Sequence, residues 1–92
     1  MIACLRSTQF SYPDGSGSIV VELRRHHDIH SQCDNKEFIV TKRFTRLPGV
    51  MIKKRWGTYA EATRDWDGKV TALVDTGLIR RDTKIIGFRE EG

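Results

Sequence analysis

Apolar residues recur at every second position in successive stretches up to Trp56, and at every third or fourth position beyond it. "MIACLRSTQF" sets Ile2, Cys4 and Phe10 on one parity and ends in Tyr12-Pro13-Asp14-Gly15, which has strong turn chemistry. "SIVVELRR" puts Ile19, Val21 and Leu23 on one face, so the two runs predict a hairpin. "KEFIVTKRF" sends Phe38, Val40 and Phe44 one way and Ile39, Thr41 and Arg43 the other. Leu47-Pro48-Gly49 turns the chain, and "VMIKKRW" sets Val50, Ile52 and Trp56 against Met51, Lys53 and Arg55. The pattern predicts consecutive antiparallel strands in a meander.

After Trp56-Gly57 the period lengthens to that of a helix, with Tyr59, Ala62, Trp66, Val70 and Leu73 forming a stripe. Thr58-x-x-Glu61 has the form of a capping box, and Glu61 and Asp65 suit the positive end of the helix dipole. Gly77 fits the left-handed position past a helix end, with Leu78 able to pack back on Leu73. These signals predict a helix from about 58 to 76. Gly68 costs such a helix roughly 1 kcal/mol relative to alanine, and a hairpin turning at Asp67-Gly68 is the alternative. "RRDTKIIGFREEG" offers a short last strand around Lys84 to Phe88. The expected fold is α+β: an antiparallel sheet of about four to five strands with one helix packed on its apolar face.

Composition bounds this picture without changing it. A chain of 92 residues, 38% hydrophobic and 30% charged, is expected to fold as one domain, neither disordered nor membrane-embedded. The N-terminus carries Arg6 and lacks the apolar run of a signal peptide, so a cytoplasmic location is expected. There Cys4 and Cys33 are expected as reduced thiols rather than a disulfide.

Charge adds more. Sixteen basic and twelve acidic residues give a formal charge of +4, which favours anionic partners in a general way. From Phe38 to Ala60 the charged residues are Lys42, Arg43, Arg46, Lys53, Lys54 and Arg55, with no acid among them. From Gly57 to Thr76 the balance reverses, with Glu61, Asp65, Asp67 and Asp75 against Arg64 and Lys69.

Concentrated side-chain chemistry occurs in "RRHHDIHSQC". His26, His30 and Cys33 are zinc-competent donors, with Asp28, Asp34 or Cys4 available as a fourth. Structural zinc sites usually pair their donors at both ends of a loop, however, and here there is one cluster. A Cys33–His30 nucleophile pair is the enzymatic version of the same cluster. No phosphate cradle, nucleophile elbow or H-E-x-x-H motif accompanies it. The expectation is a strand end running into a polar loop, with no metal, no cofactor and no catalytic role.

The basic run is the stronger lead. If the third and fourth strands pair, Arg43, Lys53 and Arg55 project from the sheet face opposite Phe38, Val40, Val50 and Ile52, with Arg46 and Lys54 near its rim. Such a face can track phosphates. It lacks the exposed rings of single-strand readers, because Phe38, Phe44, Trp56 and Trp66 fall on the core parity. The plain alternative is a solvated face whose charges discourage edge pairing. Likewise Tyr59 and Trp66 read as core residues before interface anchors. On the outer helix face, Glu61, Arg64, Asp65, Asp67, Thr71 and Asp75 make a mostly acidic surface that can steer a partner. An open sheet edge also gives a second copy a place to pair, so a homodimer is a further option.

"KRWGTYAEATRDWDGKVTALVDTGL" resembles the strand-to-helix end of WGR modules, through Trp56-Gly57, Glu61-Ala62, Trp66, Lys69 and Gly77. The third letter of that signature and the glycine-rich loop before the helix are absent, so the family's nucleic-acid binding does not carry over. A short β-meander followed by a capped helix also looks like the small orphan proteins of phages and mobile elements. That likeness implies a non-enzymatic protein acting through a protein partner, as an inhibitor of a host or defence complex. Nucleic-acid binding through Arg43, Arg46, Lys53, Lys54 and Arg55 is the alternative, and a zinc or thiol site at His26, His30 and Cys33 the third reading.

Overall fold

The computed structural model of the chain describes residues 2–26 and 37–83. The strands are β1 (Ile2–Ser11), β2 (Ser18–His26), β3 (Phe38–Phe44), β4 (Met51–Trp56) and β5 (Ile79–Thr83), with one helix, α1 (Tyr59–Thr71), between β4 and β5. All pair antiparallel in a single sheet of order β4-β3-β2-β1-β5. The first four make the expected meander. The chain then crosses one face as α1 and adds β5 beside β1.

The alternation of apolar residues produces this layering. Cross-strand partners share a face, and the register aligns Phe10 with Ile19 and Phe44, Val21 with Thr8 and Lys42, Leu23 with Val40, and Phe38 with Trp56. That face meets α1, whose Ala62, Trp66 and Val70 are buried against it, with Leu73 buried just past the helix end. Val21, Leu23 and Val40 are wholly enclosed, each contributing roughly 1.5–3 kcal/mol by leaving water. Trp66 also donates its indole N–H to the Val21 carbonyl at 3.1 Å, so the ring is buried without an orphaned donor.

In β1 the simple alternation fails. The register slips between Cys4 and Arg6, and the extra residue, Leu5, turns into the core with 5% of its surface exposed. This bulge reverses the parity of the strand. Cys4 pairs with Arg24 on the face away from the helix, while Phe10 lies beneath the helix side. The two therefore do not share a face as the alternation implies.

The helix is real, and the hairpin alternative at Asp67-Gly68 is not realised. Thr58 caps it, accepting from the Glu61 N–H at 3.2 Å. The return half of the box differs from the expected form: the Glu61 carboxylate accepts from the Thr58 hydroxyl at 2.8 Å. The α-helical span ends at Thr71, earlier than 76, and short i to i+3 bonds from Leu73 to Val70 and from Val74 to Thr71 tighten the exit. Gly77 has φ 81°, the left-handed conformation for which glycine is suited, and Leu78 packs on the core.

Gly68 lies on the exposed side of α1 with nothing within 4 Å of an added Cβ. Gly68→Ala is therefore expected to stabilise the protein by about 0.5–1 kcal/mol, read as a higher denaturation midpoint at unchanged slope. A lower midpoint would show that the glycine's backbone freedom is in use.

The described last strand is Ile79–Thr83, ahead of the expected one; Lys84 to Phe88 lie outside the described residues. No helix among the described residues is long and apolar enough to cross a membrane.

Candidate binding surface

The sheet face away from α1 is built in rows by the same register. One row runs Arg81, Gln9, Val20, Arg43, Met51; the next Thr83, Ser7, Glu22, Thr41, Lys53; the third Cys4, Arg24, Ile39, Arg55. Its cations come from β2, β3, β4 and β5. Glu22 is the acid in these rows, and it is buried, with its side chain 9% exposed. It accepts from Arg24 at 2.9 Å through one oxygen and from Arg43 at 3.0 Å through the other. The pairing is consumed locally: among the described residues Lys53, Arg55 and Arg81 have no acidic partner.

Arg43, Lys53 and Arg55 thus share one face as expected, but Arg43 is half committed to Glu22. Lys54 and Arg46 belong elsewhere. Lys54 points to the helix side, its ammonium 4.5 Å from the Trp56 ring centre, a cation–π contact that leaves it little freedom. Arg46 sits in the β3–β4 turn, its guanidinium 4.8 Å from the Tyr12 ring centre. With Tyr12, Ser18, Phe44 and Leu47 it lines an open recess of about 340 Å³ at the end of the sheet.

Beside the free cations lies an exposed apolar strip. Leu47, Val50, Met51 and Ile52 are each about half exposed, running through the β3–β4 turn into the start of β4. β4 is an edge strand, so one side of its backbone has no strand partner among the described residues. The aromatic rings, by contrast, face the helix: Phe38 and Trp66 are buried, and Phe44, Trp56 and Tyr59 pack on the core.

The acidic helix surface is smaller than its sequence implies. Glu61, Arg64, Asp67, Thr71 and Asp75 are exposed. Asp65 is not part of that outer surface. It is largely enclosed, accepting from the Trp56 indole N–H at 2.8 Å and from the Lys69 ammonium. That pair ties the end of β4 to the helix.

Two side groups bear on reactivity. Cys4 is a free thiol whose pKa is raised by burial and by the neighbouring Glu22 carboxylate, which its Sγ approaches at 3.8 Å. It stays protonated and so is a poor nucleophile. Asp82 is held below the usual carboxylate range by the Thr8 hydroxyl, which donates to it at 2.8 Å, and by Arg80. Of the histidine cluster, His26 closes β2, its backbone N–H donating to the Glu37 carbonyl at 2.8 Å. His30 and Cys33 lie outside the described residues. Among the described residues no His, Cys, Asp and Glu group is assembled that could hold a metal ion.

Glu22 is the residue that sequence reasoning missed. Its signal was an acid inside an apolar strand, two residues before the first of a pair of arginines. No family model, curated protein or solved structure matches the chain.

Proposed function

We propose that the protein is a non-enzymatic binding module whose open sheet face docks an acidic surface of a protein partner. One observation carries this reading: on β4 the cations Lys53 and Arg55, which have no acidic partner among the described residues, adjoin the exposed Met51 on the same face. Tracking a phosphate backbone needs the cations alone. An apolar centre with a charged rim is how protein interfaces are organised. The mode of action that follows is occupancy, a small domain covering a charged surface of a larger complex, as its likeness to phage and mobile-element proteins suggests.

Direct nucleic-acid binding is the second reading, favoured by the spread of Arg43, Lys53, Arg55 and Arg81 across adjacent rows of one face. Two measurements separate them. A photo-crosslinking side chain at position 53, introduced in cells that make the protein, is expected to trap a discrete protein adduct. The same group at position 61, on the outer helix face, is expected to trap none. Purified protein is then mixed with labelled duplex DNA, single-stranded DNA and RNA at about 50 and 200 mM salt, a range over which phosphate contacts weaken markedly. Tight binding that weakens with salt, with a smaller salt slope in Lys53→Gln/Arg55→Gln, would replace the protein partner with nucleic acid.

A further inference from the structure

We infer that the partner is engaged by strand addition: an extended segment, acidic in its first half and apolar in its second, pairs antiparallel with the edge of β4 that has no strand partner among the described residues. The inference rests on the binding reading above and specifies the shape and chemistry of what binds.

An unpaired edge offers a row of N–H and C=O groups, and proteins usually guard such rows with charge, proline or a covering segment. β4 is guarded over only part of its length. Lys53, Lys54 and Arg55 protect the later half, while Val50, Met51 and Ile52 leave the start apolar and about half exposed. Because side chains alternate along a strand, Met51 and Ile52 present apolar surface on opposite faces of the same edge. A helix docked on one face would cover one of them. A strand laid alongside covers both, which is the reason to prefer strand addition.

Charge sets the occupant and its direction. In an antiparallel pair the incoming chain meets Arg55, Lys54 and Lys53 first and Ile52, Met51 and Val50 afterwards. Carboxylates at its start and apolar residues after them match both halves. A second copy of this chain matches poorly, since the antiparallel registers that keep each face on its own side and cover most of β4 set Lys53 opposite the other copy's Lys53, or Lys54 opposite its Lys54, and like charges directly opposite destabilise.

The test uses the full chain and short synthetic peptides. The first has glutamates followed by alternating valine and threonine, and the second has the same residues in reverse order. A third pair carries the first sequence N-methylated at alternate residues, on one edge or the other. The forward peptide is expected to bind roughly 10-fold more tightly than the reversed one, equivalent to about 1.4 kcal/mol. Methylation on one edge should abolish binding and on the other leave it intact, and Ile52→Asp should weaken it. Equal binding of forward and reversed peptides, indifference to methylation, or no binding overturns strand addition. Concentration-dependent dimerisation lost in Ile52→Asp, without peptide binding, would assign the edge to a second copy. A position-53 crosslink to a protein that survives peptide failure would leave the face reading standing while this inference falls.

Discussion

Replacing Trp66 with alanine is expected to lower the unfolding free energy by about 3–5 kcal/mol. The ring is 7% exposed and lies in the cluster that joins α1 to β2 and β3. Arg6 lies over it at 5.6 Å, and its indole N–H holds the Val21 carbonyl. Alanine removes the largest side chain that the helix buries and leaves a cavity the sheet cannot close. Small domains have roughly 5–15 kcal/mol in all, so this one change brings the chain near its threshold. Trp66→Phe separates the two contributions: it keeps most of the volume and loses the hydrogen bond, at about 1–2 kcal/mol. Chemical denaturation of the variants measures both. A cost below about 1 kcal/mol for alanine would mean that the helix does not depend on this ring.

Glu22→Gln is expected to move stability and binding in opposite directions. The carboxylate is enclosed and serves Arg24 and Arg43 at once. Breaking a fully buried pair from one side costs about 3–5 kcal/mol, but these arginines are 39% and 48% exposed, so water can take over part of the role. A loss of roughly 1–2 kcal/mol is therefore expected. The same change frees both guanidinium groups and removes the one negative charge from the rows of the open face. Affinity for an acidic partner, including the forward peptide above, should rise, and most at low salt. Unchanged affinity would place the binding surface away from this face.

The meander was legible because the apolar core residues of β2 and β3 keep to one parity: Phe38, Val40, Ile19, Val21 and Leu23 write the period of two into the chain. The helix was legible because Thr58, the stripe through Trp66, and Gly77 agree with one another. What escaped notice has physical causes. A single inserted residue, Leu5, moves Cys4 to the other face, and no alternation pattern announces where a register slips. β5 is exposed along its whole length, so "IRRDT" lacks the apolar period that identifies a strand, and the more apolar stretch after it drew the expectation instead. Within the candidate site, the parity of β4 correctly grouped Lys53 and Arg55 with Arg43. The stacking of Lys54 on Trp56 and Arg46 on Tyr12, and the burial of Asp65 and Glu22, depend on tertiary neighbours that spacing cannot reveal.

The placement of β5 beside β1 governs the order in which this chain can be assembled as it is synthesised. The first four strands meet neighbours that have only just been made, so the meander can form by local hairpin closure. The outer edge of β1 must wait for Ile79–Thr83, across nearly the whole described length, and closing so distant a contact is slow. Until then β1, and not the exposed β5, forms that border of the nascent sheet, and α1, which carries the chain across, settles the first and last strands into a single cooperative unit.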